Sequence, residues 1–316
     1  MSGFVVAAAE PLRPAMLDAL RAFATVRYAP EAWRSCDEVA RTAADASVLL
    51  TRTLTRVDRA LLDRLPALGC VAVYGAGREH LELPALDDRE IRLIRCSAEV
   101  AGTIAEFTLG LALCLLRRLP EAAAATAAGG WRTEGLFGHD LAGRRVLVVG
   151  CGPIGERTAR LFAAVGASVT VARRSDRPLP AALTAAGCRV GGLRESLTET
   201  QLVTLHVPGG EGTRRLLGRR ELALLPDGAH VINTSRGSVL DLDALLAELR
   251  SGRLGGAALD VLPTEPPAQP LPSLPGLVVT PHLALYSHEA VDRRIAAVAG
   301  QVRDWLRSAA AAQARS

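Results

Sequence analysis

Short apolar runs in the first third of the chain alternate with segments whose apolar residues recur at helical spacing. The runs are rich in Val, Leu, Ile and Ala and predict buried strands at 4–9, 25–28, 47–50, 70–73 and 92–94. The helical spacing predicts helices at 13–23 and 58–65. Strands that alternate with helices are typical of a parallel sheet with helices on both faces.

A second alternation begins beyond an alanine-rich connector that leads to Trp131. It predicts strands at 145–149, 168–172, 202–206, 230–233, 256–260 and 277–280, and helices at 155–165, 219–225 and 241–250. A long apolar helix at 98–119 precedes the connector, and a final helix at 288–308 follows the second set of strands. The prolines between 263 and 275 predict an irregular loop.

Length and composition limit the possible partners. A chain of 316 residues suits two domains. The net charge of +4 comes from scattered arginines, so neither nucleic acid nor membrane is predicted as a partner. The six cysteines lack C-x-x-C spacing and the N-terminus lacks the pattern of a signal peptide, which together predict reduced thiols and a cytoplasmic location.

The segment after the predicted strand 145–149 has the spacing G-x-G-x-x-G, formed by Gly150, Gly152 and Gly155. Strand, glycine turn and helix in this order predict a dinucleotide site. The first glycine permits a tight turn, the second lets a pyrophosphate approach the backbone, and the third lets the helix pack closely. The N–H groups at the start of the helix would then face the phosphates.

Polar side chains follow three other predicted strands of this half, where Arg236, Glu265 and His282 each stand just past an apolar run. A carboxylate beside a histidine stabilises the protonated imidazole and suits acid–base chemistry. An arginine can hold a carboxylate through two parallel hydrogen bonds. Together these residues predict hydride transfer to or from a 2-oxo acid. Arg52, at the end of a strand in the first half, could hold a distal acidic group or simply be solvated.

Longer segments resemble the signature of the D-isomer-specific 2-hydroxyacid dehydrogenase family. They are 105–106, Trp131, 141–150, 205–208, 233–241, 255–267 and 279–282. The resemblance implies an α/β protein with two doubly wound parallel-sheet lobes. A Rossmann cofactor domain (98–284) would be inserted into a flavodoxin-like substrate domain (1–97 and 285–316).

The resemblance also assigns roles. Arg236 would bind the carboxylate and carbonyl of the substrate, His282 would pass a proton to or from the C2 oxygen, and Glu265 would orient His282. The predicted substrate contacts are Arg52, Tyr74, Ala76 and Gly77. The predicted cofactor contacts are Gly150, Gly152, Pro153, Ile154, Gly155, Arg173, Arg174, His206, Val207, Pro208, Thr213, Thr234, Ser235 and Asp260. No metal site is predicted.

The end of the second cofactor-domain strand departs from the family pattern. NAD-preferring relatives carry an acid there, whereas this chain has Arg173 and Arg174, which would attract a 2′-phosphate. NADP is therefore the predicted cofactor and NAD the alternative. The resemblance implies a homodimer through the cofactor domain, and the apolar helix 98–119 would suit such an interface. Two other functions remain open: a same-fold enzyme with a non-carbon substrate such as phosphite, and a dinucleotide-binding regulator of the corepressor type.

Overall fold

A computed structural model describes residues 3–75, 77–131 and 134–314. The chain forms two compact units. The described residues up to Val100 and from Ser287 onward form unit 1, and Ala101–Tyr286 form unit 2. Both units are α/β, and every strand pairing in their sheets is parallel.

Unit 1 has a five-stranded sheet in the order β2-β1-β3-β4-β5. This order is the flavodoxin-like doubly wound arrangement, so the predicted fold class is confirmed here. Its elements up to β5 are β1 Val5–Ala8, α1 Pro14–Arg21, β2 Thr25–Tyr28, α2 Cys36–Thr42, β3 Val48–Thr51, α3 Arg59–Leu62, β4 Cys70–Val73, α4 Leu83–Asp88 and β5 Arg92–Arg95.

Apolar residues on both sides of the strands explain why this sheet is buried. Ala7, Leu49 and Val71 pack into one hydrophobic cluster with α2, α3 and α4. Val48 and Leu50 point the other way, into a second cluster. A strand covered on both faces appears in the sequence as a continuous apolar run, which is why β1, β3 and β4 were predictable, whereas β2 and β5 at the sheet edges are only partly buried.

Unit 2 has a seven-stranded sheet in the order β12-β11-β10-β9-β6-β7-β8, which extends the Rossmann order by one strand. Its elements are α5 Ala101–Leu116, α6 Leu119–Ala127, β6 Arg145–Val149, α7 Pro153–Ala164, β7 Ser168–Ala172, α8 Ala181–Ala185, β8 Arg189–Val190, α9 Leu193–Leu197, β9 Leu202–Leu205, α10 Arg219–Leu222, β10 His230–Asn233, α11 Leu242–Arg250, β11 Gly256–Leu259 and β12 Leu277–Val279.

The region between the first long helix and β6 differs from the prediction. The helix predicted at 98–119 ends at Leu116, because Arg118 adopts the left-handed conformation with φ of +51°. The alanine-rich stretch predicted as a connector is helical instead and forms α6, which has no buried residue. Alanine is the strongest helix former, so this helix needs no apolar stripe of its own to be locally favoured.

The last helix, α12 (His288–Gln313), returns to unit 1. Ser287 caps it by accepting from the backbone N–H of Ala290 at 3.0 Å. The helix packs on α1, β4 and β5, with Val298 and Leu306 in the second cluster. It runs past the predicted end at 308 because the following alanines contain no stop signal.

No helix in the described part of the chain has the combination of length and apolar character that a bilayer crossing requires. All six cysteines are free thiols.

Candidate active site

The strand β6 ends in a glycine turn that leads directly into α7. Gly150 has φ of +105°, and a Cβ there would overlap the carbonyl oxygen of His206. A Cβ on Gly155 would overlap the carbonyl oxygen of Gly150. Around Gly152, by contrast, a Cβ would meet no atom within 4 Å. The turn therefore has no room for a side chain at Gly150 and Gly155, but it leaves free space beside Gly152.

The open glycine coincides with the beginning of α7. Gly152 is the N-cap residue, and Pro153 and Ile154 start the helix. The first N–H groups of a helix have no acceptor within the helix, and the helix dipole makes this end positive. The turn thus offers space, backbone donors and positive potential in one place, so these residues fit the pyrophosphate of a dinucleotide.

Two arginines follow β7. Arg173 Nη1 donates to the carbonyl oxygen of Pro178 at 3.3 Å, while its Nε is buried and has no hydrogen-bond partner in the described structure. Burial raises the pKa of the Cys151 thiol and the charge of Arg173 opposes that rise, which places Arg173 near the glycine turn. Arg174 is exposed, and its Nη1 lies 3.2 Å from where a Cβ of Gly212 would be. The end of β7 is therefore cationic.

The loop after β9 borders the glycine turn. His206 is buried, its Nε2 lies 2.9 Å from Thr204 Oγ1, and its carbonyl oxygen abuts the turn. Burial lowers the pKa of His206 to about 3, so its imidazole is neutral. Val207 also contacts the turn, and Thr213 Oγ1 donates to the carbonyl oxygen of Pro208 at 2.6 Å. His206 can therefore reach a cofactor only through its backbone, since its imidazole belongs to the core.

The loop after β10 is organised by the side-chain amide of Asn233. Its Oδ1 accepts from the backbone N–H and the hydroxyl of Ser235 at 3.0 and 2.8 Å, and its Nδ2 donates to the carbonyl oxygen of Arg236 at 2.9 Å. Arg236 Nη1 donates to the Ser235 carbonyl at 2.7 Å. A Cβ on Gly237 would overlap the backbone of Leu262. Arg236 is thereby held half-buried, next to the loop that follows β11.

Thr234, in the same loop, is buried. Its hydroxyl lies 3.0 Å from the hydroxyl of Thr108 on α5. This contact ties the loop to the helix, so the Thr234 side chain supports the loop.

His282 follows β12, and its Nδ1 lies 2.8 Å from Oε2 of Glu265. An ionised carboxylate can only accept, so Nδ1 carries the hydrogen of this bond and Nε2 is left to exchange a proton. Glu265 is fixed in turn, because its Oε1 accepts from the backbone N–H of Leu262 at 2.9 Å. The side chains of His282 and Glu265 are 41% and 36% exposed, so a small molecule can reach them.

The buried carboxylate of Asp260 holds the turn that carries His282. It accepts from the backbone N–H groups of Leu283 and Ala284 at 2.7 and 2.9 Å and from Thr280 Oγ1 at 2.6 Å. His282 has φ of +57°, a conformation that a residue with a side chain keeps only where its surroundings impose it. Asp260 was predicted as a cofactor contact, and in the structure its side chain supports the His282 turn.

Unit 1 carries the residues predicted to bind substrate. Arg52, after β3, donates through Nη1 to the Pro11 carbonyl at 3.3 Å. Tyr74, after β4, is only 5% exposed and its ring packs in the core, and its substrate contact stays a prediction. Gly77 is buried, and Ala76 lies outside the described residues.

Two buried charged side chains near the carboxyl ends of the unit 1 strands were not predicted from the sequence pattern. Glu10 is 0% exposed, and its carboxylate accepts from four backbone N–H groups of the turn 52–55. Arg294 on α12 is 3% exposed. The signal for Arg294 was its position at helical spacing from the buried Val291 and Val298, where an apolar residue is expected.

The arrangement in unit 2 combines a site for a dinucleotide with a histidine–glutamate pair and an arginine. The glycine turn, the Arg236 loop and the His282 turn all follow the carboxyl ends of parallel strands in one sheet, which is where ligands bind in such folds. This set of groups can bind an anionic substrate and exchange one proton with it.

The sequence profile described as D-isomer specific 2-hydroxyacid dehydrogenase, NAD binding domain, matches residues 109–284. The matched region contains the glycine turn, the Arg236 loop and the histidine–glutamate pair.

Curated relatives and a solved structure show the same likeness. The chain is 34% identical to the (S)-sulfolactate dehydrogenase of Chromohalobacter salexigens over 252 residues, covering 79% of this chain and 81% of that protein. It is 30% identical to the D-3-phosphoglycerate dehydrogenase of Methanocaldococcus jannaschii over 264 residues, which is 83% of this chain but only 50% of that protein. The crystal structure of the TT0316 protein of Thermus thermophilus superposes with a TM-score of 0.81 at 34% identity, covering 94% of both chains.

Proposed function

The chain belongs to the D-isomer-specific 2-hydroxyacid dehydrogenase family, and on that premise we propose that it transfers a hydride between NAD(P)H and C2 of a small 2-oxo acid. The observation that carries this proposal is the 2.8 Å contact between His282 Nδ1 and Glu265 Oε2, which leaves Nε2 to exchange a proton. When bound, the nicotinamide supplies the hydride or takes it up.

The chain's own residues divide the remaining work. Arg236 binds the carboxylate and polarises the carbonyl, because its planar guanidinium can donate to both. His282 gives a proton from Nε2 to the C2 oxygen during reduction and takes one back during oxidation. Glu265 keeps the imidazole in the orientation and tautomer that this exchange needs. The glycine turn and the start of α7 hold the pyrophosphate.

The experiment that tests this function follows the absorbance of the reduced cofactor with a panel of 2-oxo acids. Glyoxylate, hydroxypyruvate, pyruvate, phenylpyruvate and 2-oxoglutarate would each be offered with NADPH and with NADH. Turnover with any of these acids supports the reaction class, and the relative rates show which substituent on the 2-oxo acid is preferred. Cofactor binding without turnover on all five would contradict the proposal and favour a regulator or a non-carbon substrate.

NADPH is the proposed cofactor of choice, because β7 is followed by Arg173 and Arg174 and not by an acid. Arginines attract and hydrogen-bond a 2′-phosphate, and a hydrogen bond to a charged group contributes about 1.5–3 kcal/mol. We predict that Arg174→Ala raises KM for NADPH at least about tenfold while KM for NADH changes little. Arg177→Ala, which removes an exposed arginine from the same loop, serves as the control. Equal effects on both cofactors would refute the assignment.

We also propose a homodimer that pairs through unit 2. The helix α6 has no buried residue, and apolar side chains stand exposed around it: Leu113 at 41%, Leu119 at 49%, Trp131 at 90% and Phe137 at 81%. Large exposed apolar side chains are typical of surfaces that bind another protein where they form a contiguous patch. A second copy of the chain would cover them.

A further inference from the structure

Arg294 is a buried cation at the substrate end of unit 1. It is 3% exposed, and its Nε has no hydrogen-bond partner within the described residues. Its Nη2 donates to the carbonyl oxygen of Tyr74 at 2.6 Å, and the guanidinium lies 4.0 Å from the centroid of the Tyr74 ring. In the described structure no carboxylate pairs with it. A buried charge without a counter-charge is costly, so a stability role explains it poorly.

The contacts of Arg294 join the ends of two neighbouring strands. Tyr74 follows β4, and Cys96 follows β5. Burial raises the pKa of the Cys96 thiol, and the positive charge of Arg294 opposes that rise. The backbone N–H of Cys96 donates to the Gly75 carbonyl at 3.2 Å, so a hydrogen bond joins the segments that follow the two strands. Arg294 therefore sits directly beneath the turn that starts at Tyr74.

Two further cations converge on the same tyrosine. Burial raises the pKa of the Tyr74 phenol, and the positive charges of Arg294, Arg13 and Arg52 oppose that rise. Arg13 follows β1 and Arg52 follows β3, so all three lie toward the carboxyl edge of the unit 1 sheet. The carboxylate of Glu10 is also there, but four backbone N–H groups already occupy it. Glu99 also acts on the Cys96 thiol, so the three arginines face two carboxylates, one of which is already occupied.

We propose that Arg294 is a specificity-determining residue that makes this edge select 2-oxo acids with a second anionic group over those with one. The inference rests on the proposed function and narrows its substrate class. The second group would be a carboxylate, a sulfonate or a phosphate, which share the negative charge and the acceptor oxygens. Arg294 acts by holding the Tyr74 turn and by adding a charge that solvent does not screen.

The test compares substrates matched in carbon number. The first pair is 2-oxoglutarate and 2-oxopentanoate, and the second is oxaloacetate and 2-oxobutyrate. Comparison with 3-sulfopyruvate and 3-phosphohydroxypyruvate then distinguishes a second carboxylate from a sulfonate and a phosphate. The wild type should prefer the dianions by at least about tenfold in kcat/KM, because a poorly screened charge attracts the second anionic group. Arg294→Met should remove most of this preference through KM, and Arg294→Lys should keep part of it. Arg293→Met removes an exposed charge from the same helix and should leave the preference unchanged.

A second measurement separates this inference from the reaction itself. Thermal stabilisation by 2-oxoglutarate and by 2-oxopentanoate, at saturating NADPH, reports binding without turnover. Larger stabilisation by the dianion in the wild type, lost in Arg294→Met, supports the inference even if no 2-oxo acid is reduced. The inference is overturned, even if turnover is found, if the two acids stabilise the wild type equally. It is also overturned if Arg294→Met reduces the stabilisation by both acids to the same extent.

Discussion

At the scale of the residue, the catalytic assignment depends on polar side chains held at positions where the sequence interrupts an apolar run. Arg236, Glu265 and His282 were visible for that reason, since each follows a strand. The supporting roles of Asn233 and Asp260 were not predicted, because they are set by contacts. Asn233 ends an apolar strand and Asp260 follows another, and neither pattern shows which groups donate hydrogen bonds to these side chains.

Glu10 is the clearest case of a buried charge that acts on the backbone. Burial alone would raise the pKa of its carboxyl, but N–H groups of Arg52, Thr53, Leu54 and Thr55 outweigh that effect and hold the pKa below its usual value. A lowered folded-state pKa means that the ionised carboxylate stabilises the fold at neutral pH. This contribution is lost as the pH falls from the usual carboxyl range through the folded-state pKa.

We predict that Glu10→Gln lowers the free energy of unfolding by about 1.5–3 kcal/mol at pH 7, because the amide cannot accept with both ends. The difference in the free energy of unfolding between the variant and the wild type should shrink as the pH falls below the pKa of this carboxyl in the unfolded chain. Denaturant unfolding at several pH values measures both effects. Glu31→Gln, which breaks an exposed ion pair with Arg34, is the control and should cost little. A pH-independent difference would refute the linkage.

At the scale of the element, what the sequence reveals depends on length and on burial. The strands β4, β6, β7 and β10 were predicted to the residue, and most residues of each are buried; β2 was also predicted to the residue although its residues are exposed or only partly buried. The short elements β8, α8 and α9 have two to five residues each, too few for a period to show. The helix α6 was missed for another reason: its alanines form a helix without an apolar face.

The glycine turn yields an element-scale prediction, because its glycines differ in what surrounds them. Gly155→Ala should destabilise unit 2 by about 1–3 kcal/mol or more, since the new Cβ overlaps the Gly150 carbonyl. Gly152→Ala should fold normally, because that Cβ meets no protein atom, yet it should weaken NADPH binding by occupying the space proposed for the pyrophosphate. Thermal melting and cofactor titration of both variants measure this. Full NADPH affinity in Gly152→Ala would contradict the proposed cofactor position.

At the scale of the whole molecule, the two sheets and the return of α12 to unit 1 give the chain its two α/β units. The fold class followed from the alternation of strands and helices, and the resemblance to the family supplied the inserted arrangement. The sequence also predicted NADP from the arginines after β7, but it left the substrate class open. The proposals made for cofactor preference and substrate class rest on where Arg174 and Arg294 place their charges, and such placement is a property of packed side chains.

The proposed dimer is tested at this scale. We predict that the chain elutes as a dimer and that Trp131→Glu with Leu113→Glu converts it to a monomer, because charge cannot be buried in an apolar interface without a partner. Light scattering coupled to size exclusion measures the mass. Leu54→Glu, which changes an exposed leucine of unit 1, is the control and should leave the dimer intact. A monomeric wild type at micromolar concentration would refute the proposal.

The most direct test of the central claim is a paired measurement on His282→Ala: kcat/KM for the best 2-oxo acid and the Kd of NADPH. General acid–base catalysis contributes about 10²–10⁴-fold, so kcat/KM should fall by at least about a hundredfold. The Kd should stay within about twofold, because His282 transfers the proton and does not hold the cofactor. His288→Ala, at an exposed position, should change neither value. Retained turnover in His282→Ala would contradict the account.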